Sequence, residues 1–168
     1  MGRAYVLAGL PASAGSKRNP HWKAGRYSTH GVLPKVVPNV ELHPGWFNET
    51  VPQVLARHPG EPIAFLHMDA DIYTSTRSVL DAVFSRCVLR VGTVIAFDEL
   101  FGPPAQAEHE YRALLESSEQ WGIHWEFVTY TLTPKSEFAR AAVQITYLGP
   151  GCALGGAQIP TIAGYARA

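Results

Sequence analysis

Ile63-Ala-Phe-Leu-His-Met-Asp-Ala-Asp-Ile-Tyr-Thr-Ser-Thr76 decides how this chain is read. An apolar run of strand length stops on two acids, Asp69 and Asp71, and a helical pattern opens at Thr74 to Thr76. The same arrangement returns at Thr93-Val-Ile-Ala-Phe97, which ends on Asp98 and Glu99. Apolar runs without alternation suit strands of a parallel sheet covered on both faces. In such sheets the reactive groups sit beyond the carboxyl ends of the strands. Two strands ending on acids therefore predict a carboxylate cluster at one sheet edge.

Outward from that stretch, the other elements fall into order. Residues 4–7 read as a short strand, stopped by Gly9-Leu-Pro11, and residues 12–38 read as loop. Asn39-Val-Glu-Leu-His43 alternates and ends at Pro44-Gly45, giving a second strand. Asn48 is the expected N-cap of a helix reaching about His58, with Pro52 in its first turn and Val51, Val54 and Leu55 as its apolar stripe. Val79, Leu80, Val83, Phe84 and Cys87 mark one face of a helix over 75–89. A third helix, over 105–120, shows Ala107, Tyr111, Leu114 and Leu115 on one side. Strands at 123–131 and 141–148, joined without a helix, predict an antiparallel hairpin. The pattern is α/β, a doubly wound and mostly parallel sheet with a C-terminal antiparallel hairpin.

At 168 residues one domain is expected, long enough for a hydrophobic core. The formal net charge is zero and no basic stripe carries interleaved aromatics, which speaks against a nucleic-acid partner. No apolar run approaches the ~20 residues of a membrane span. The N-terminal apolar stretch is broken too early, at Gly9 and Pro11, to serve as a signal peptide, so a cytoplasmic setting is expected. Cys87 and Cys152 sit in no C-x-x-C, so neither a disulfide framework nor a zinc knuckle is expected, and Cys87 reads as a core residue. Gly149-x-Gly151-x-x-x-Gly155 has glycine spacing like that of a phosphate-cradling loop, but Pro160 blocks a following helix. Residues 151–168 read instead as a flexible tail behind a single unit over 1–150.

Neighbouring parallel strands lie ~4.8 Å apart, so acids at adjacent strand ends can share one ion. A hard cation such as Mg²⁺ takes oxygens at ~2.1 Å and keeps waters that a substrate displaces. Asp69, Asp98 and Glu99 supply such oxygens, and Asp71 can add to them or orient them. The plain alternative is helix capping or solvation, which suits Asp71 well. It suits Asp69 and Asp98 poorly, because acids ending apolar strands are costly to bury unpaired. His67 shares a strand face with Asp69. It is either a proton acceptor or, the better fit, a satisfied core histidine. Trp46-Phe47, after the Gly45 turn, either lines an adenine pocket or staples its helix to the sheet.

Four pieces together resemble the macrocin O-methyltransferase (TylF-type) family of class I S-adenosylmethionine-dependent methyltransferases. They are Gly9-Leu-Pro11, the stretch from Asn39-Val-Glu-Leu-His43 through Pro44-Gly-Trp-Phe-Asn-Glu-Thr-Val-Pro52, Leu66-His-Met-Asp-Ala-Asp-Ile-Tyr-Thr-Ser-Thr76, and Gly92-Thr-Val-Ile-Ala-Phe-Asp-Glu99. The resemblance implies a Rossmann-like sheet and methyl transfer from S-adenosylmethionine to a hydroxyl of a sugar or other secondary metabolite, a small-molecule acceptor. It implies a divalent metal, Mg²⁺ or similar, on Asp69, Asp98 and Glu99, where Glu99 stands in a position many relatives fill with Asp. Gly45, Trp46, Phe47 and Asp69 become the cofactor contacts, and Asp69, Asp71 and His67 the candidate bases.

The family's first strand and its glycine-rich turn have no counterpart here, and Tyr5-Val-Leu-Ala-Gly-Leu-Pro11 lacks the expected ribose-gripping acid. A truncated, N-terminally incomplete domain is therefore expected, with the 63–69 strand short of one neighbour. A missing N-terminal segment, repacking or a partner chain in a homo-oligomer would close the gap. Two other functions compete: a catalytically inactive remnant acting as a binding module, and a metal-dependent glycosyltransferase using Asp69-x-Asp71.

Overall fold

The structure is a computed structural model and describes residues 4–8, 32–102, 108–131, 139–150 and 152. The chain divides into two compact units, residues 1–53 and 54–168.

In the first unit, β1 (Ala4–Ala8) pairs in parallel with β2 (Val40–Pro44), with Ala4 opposite Val40 and Ala8 opposite Pro44. Gly45 then turns the chain at φ 144°, and a Cβ there would stand 2.7 Å from Thr50 Cγ2, so only glycine fits. Helix α1 (Phe47–Arg57) opens where the Trp46 carbonyl accepts both the N–H and the hydroxyl of Thr50, at 2.9 and 3.0 Å. The expected N-cap is thereby corrected: Asn48 lies exposed inside the first turn. Pro52 lies deeper in the helix than expected and denies the Asn48 carbonyl its usual donor. Val51 and Val54 are buried and Leu55 is half-buried, the stripe the sequence predicts.

The second unit runs β3 (Phe65–Met68), α2 (Tyr73–Ser85), β4 (Val94–Phe101), α3 (Glu110–Trp121), β5 (His124–Tyr130) and β6 (Ala139–Tyr147). Its sheet has the order β3-β4-β6-β5. β3 and β4 are parallel, whereas β6 is antiparallel to both β4 and β5, so the predicted hairpin is present. Leu80 and Phe84 of α2, Ile95, Phe97 and Leu100 of β4, Leu114 of α3 and Val143 and Ile145 of β6 form the core. β3 is not covered on both faces as its sequence suggests: Phe65 is 60% exposed. Among the described residues β4 is its only strand partner.

Helices α2 and α3 are locked by polar groups as much as by apolar ones. Asp81 accepts Ser117 Oγ at 2.8 Å, Trp121 Nε1 at 3.2 Å and Arg77 Nε at 3.0 Å. This network explains why the buried face of α3 departs from the expected one. The buried stripe is Glu110, Ala113, Leu114, Ser117 and Ser118, leaving Leu115 exposed and Tyr111 half-buried. Ala107 lies outside the described residues.

The cysteines also depart from expectation. Helix α2 ends at Ser85, so Cys87 leaves the helical face, adopts φ 53° and forms a disulfide with Cys152. A pair 65 residues apart leaves no local spacing signal in the sequence. Stable disulfides belong to oxidising compartments, so the bond and a reducing cytoplasmic setting pull in opposite directions. Gly149, the first glycine of the supposed phosphate loop, has a packing reason: a Cβ there would meet the Trp121 carbonyl oxygen at 2.7 Å. Gly151, Gly155, residues 153–168 and most of the expected 12–38 loop lie outside the described residues.

Closing a loop of this length restricts the unfolded chain more than the folded one. Cys152→Ser is therefore expected to lower the unfolding free energy by about 2–4 kcal/mol in urea titrations under non-reducing conditions. An unchanged midpoint would show that the bond does not stabilise the fold.

Candidate active site

The turn between β3 and α2 separates residues that hold structure from residues that face outward. Met68 is buried and so is the Ala70 backbone, while Asp69 and Asp71 are exposed. Asp71 takes φ 59°, a left-handed conformation that Asp tolerates better than most residues. The Ile72 N–H folds back on the Ala70 carbonyl at 2.6 Å. Ile72, not Asp71, is the N-cap of α2, and it makes no side-chain cap. The Thr76 N–H and hydroxyl both donate to its carbonyl, each at 3.1 Å. Tyr73 donates to Glu116 of α3, and the Arg112 guanidinium lies 5.1 Å from the centre of the Tyr73 ring. Tyr73 and Thr76 thus hold helices in place, and Asp71 is released from the capping role offered for it.

β4 runs further than its sequence suggests. Its pairing with β3 stops at Phe97 opposite Met68, yet the strand continues to Phe101 through a shift in its register with β6. Asp98 and Glu99 therefore lie within an irregular stretch of strand, past the last residue of β3, and not beyond a strand end. Asp98 Oδ1 accepts Arg140 Nε at 2.6 Å. Glu99 is half-buried, and its carboxyl is pushed up to about 7, first by burial and then by the charges of Asp71, Asp98 and Asp69. Asp71, although it reaches solvent, is also raised, by partial burial and then by Asp69 and Asp98, against a lowering by His109. The four acids named from the sequence are therefore within electrostatic reach of one another.

Two neighbours carry no sequence signal of their own. Glu110 opens α3 and is fully buried. Its Oε1 accepts the Ala70 N–H at 3.2 Å, while Oε2 makes no hydrogen bond. Burial pushes its carboxyl up to about 7, against the backbone N–H groups of Ala70 and Glu99, which favour the charged form. His109, just before it, has a buried Nδ1 without a hydrogen bond. An acid in the first turn of a helix is commonplace for dipole reasons, so nothing in the sequence sets Glu110 apart.

The other expected residues are placed less decisively. His67 is exposed on β3, so the core-histidine reading is corrected: among the described residues nothing covers that face of β3. In the first unit Trp46 is 48% exposed and Phe47 half-buried beside Gly45. Among the described residues no three His, Cys, Asp or Glu side chains gather closely enough to hold a metal. No helix among them is long and apolar enough to cross a membrane.

Comparison with known proteins adds an independent line. A family model described as macrocin-O-methyltransferase (TylF) matches residues 27–126. Demethyldecarbamoylnovobiocin O-methyltransferase of Streptomyces niveus is 32% identical over 94 residues, 52% of this chain and 34% of that protein. Mycinamicin III 3''-O-methyltransferase of Micromonospora griseorubida is 33% identical over 107 residues, 59% of this chain and 38% of that protein. The matched stretch thus spans little more than a third of these relatives. The crystal structure of CalS11, a calicheamicin methyltransferase, superposes with a TM-score of 0.56 at 22% identity, covering 84% of this chain and 60% of that one, a likeness of fold.

The raised carboxyls have a consequence for stability. Unfolded, Glu99 and Glu110 release their protons near 4.5; folded, they hold them to about 7. Between those values the folded chain binds more protons, so their contribution is full below 4.5 and is lost as pH rises through 7. The urea midpoint is expected to fall between about pH 5 and pH 8, and to fall less in Glu99→Gln. An equal fall in the variant would mean that Glu99 titrates normally.

Proposed function

The chain belongs to the macrocin-O-methyltransferase (TylF) family, and we propose from that premise that it takes part in methyl transfer from S-adenosylmethionine to a hydroxyl of a sugar or another secondary metabolite. The observation that carries this reading is the crowding of Asp69, Asp71, Asp98 and Glu99, each of which enters the electrostatics of another. Asp71 and Glu99 are both raised by the acids around them, and carboxyls perturbed in that way mark a candidate functional site. In this reading residues 1–150 form the methyltransferase-like part and residues 151–168 a tail.

Asp69, Asp98 and Glu99 are the residues proposed to hold a divalent cation such as Mg²⁺, which would have to draw their side chains closer together than they stand here. Their hard oxygen donors suit that ion in kind, and Arg140 now supplies the positive charge at Asp98 that a cation would replace. Held there, such an ion would supply Lewis-acid polarisation of the acceptor hydroxyl and so lower its pKa. The proton leaving that hydroxyl needs a base beside it. Asp69, Asp71 and His67 can accept it, and Asp71, raised by partial burial and by its acidic neighbours, is a stronger base than an ordinary carboxylate. In the first unit the exposed Trp46 ring, with Gly45 and Phe47 beside it, is proposed as a stacking face for adenine. The acids then fix the acceptor oxygen for in-line attack on the methyl group carried by the sulfonium.

Calorimetric titration of the purified chain with S-adenosylmethionine is expected to give affinity of about micromolar order, tightened by Mg²⁺. Asp98→Ala is expected to abolish Mg²⁺ binding while leaving the circular dichroism spectrum unchanged. Absence of binding at millimolar donor, or full metal affinity in Asp98→Ala, would contradict the reading.

A further inference from the structure

Between Phe97 and Phe101 strands β4 and β6 fall out of step. Phe97 stands opposite Ala141 and Phe101 opposite Ala139, so Asp98, Glu99 and Leu100 face Arg140 alone. Extra residues in one strand make a bulge, which re-aims side chains and is common beside active sites. Burial shows the same break in phase. Ile95 and Phe97 are buried in strand alternation, yet the next buried residue is Leu100, which leaves two successive acids, Asp98 and Glu99, half-buried between them.

Arg140 is the side chain that β6 brings to this bulge. Its backbone carbonyl accepts the Thr131 N–H at 2.9 Å, and its Nε donates to Asp98 Oδ1 at 2.6 Å. The pair is open to water, with the Arg140 side chain 72% exposed and that of Asp98 31%. An ion pair so exposed keeps a carboxylate in place but yields it readily to a stronger partner. The guanidinium itself keeps its charge at any ordinary pH. Asp98 favours that charge first, and Asp69 after it. The pairing also bears on the spacing of the acids: among the described residues no three of them stand close enough to hold a metal. We propose that Arg140 is a placeholder for a divalent cation, holding Asp98 at the bulge of β4 in the cation-free chain and releasing the carboxylate as the ion enters. The hydrogen bond is a matter of geometry; its replacement by an ion rests on the proposed function above.

Mn²⁺ uptake, followed by electron paramagnetic resonance in wild type, Arg140→Gln and Arg140→Lys, tests this. Gln removes the competing charge and is expected to tighten Mn²⁺ binding by roughly fivefold, the most that an exposed pair contributes. Lys keeps the charge and is expected to stay near wild type, which a role in packing alone would not produce. Uptake by Arg140→Gln and not by wild type would support the proposal more strongly still. Equal affinity in wild type and Arg140→Gln, or equal tightening in Gln and Lys, would overturn it. In ¹⁵N-labelled chain the Arg140 Nε–H is expected to exchange with water more slowly than in Asp98→Ala, and to lose that protection as Mg²⁺ is added. Protection that is absent from the start, or that persists with the ion bound, would also overturn the proposal. If neither wild type nor Arg140→Gln takes up Mn²⁺ at millimolar concentration, the metal reading falls and the placeholder with it, whereas equal uptake in both sinks the placeholder alone.

Discussion

Repulsion among like charges is the constraint on which the second unit turns. Asp69 and Asp71 leave β3 at the level where Asp98 and Glu99 leave the β3–β4 ladder, and all four carry the same sign. In partly dry surroundings such charges cannot all stay ionised without relief. The chain supplies relief in three ways. Arg140 binds Asp98, His109 lowers Asp71, and Glu99 and Glu110 keep their protons up to about 7. A fold that only needed stability would not gather acids there, and the proposed methyl-transfer site would give the gathering a use.

The elements around the acids are rigid where the acids need a foundation. α2 and α3 cross-link through Asp81, which accepts from Ser117, Trp121 and Arg77. Tyr73, in the first turn of α2, ties back to Glu116 of α3. The motif Asp69-x-Asp71-x-Tyr73-x-x-Thr76 therefore divides its labour, with Tyr73 and Thr76 fixing the helix start and the two Asp side chains left to project. Fixing a site on helix and strand ends limits how far its groups can wander, which methyl transfer in line requires.

Much of this was legible in the residues. The order of strands and helices and the terminal hairpin follow from the apolar runs and the turns between them, and the four acids lie near enough to feel one another's charge but not close enough to form a metal cluster. What was not legible depends on partners distant in sequence. β4 extends through Asp98 and Glu99 because β6 pairs with it as far as Ala139, which no local pattern announces. His67 is exposed because β3 stands at an edge of the described sheet, whereas its apolar neighbours suggested burial. Cys87 left the helix face because α2 stops two residues earlier, and its bond to Cys152 reaches past β4, β5 and β6 in sequence. Glu110 looked like any first-turn acid until its carboxylate was seen to reach Ala70.

The most direct measurement is the titration of the Glu99 carboxyl carbon by ¹³C nuclear magnetic resonance, in wild type and in Asp71→Asn. A midpoint near 7 that falls part of the way once the charge at 71 is gone, burial and the remaining acids holding the rest, is the result expected if the two acid-bearing segments meet. A midpoint near 4.5 in both proteins would place the acids apart and remove the ground for the site.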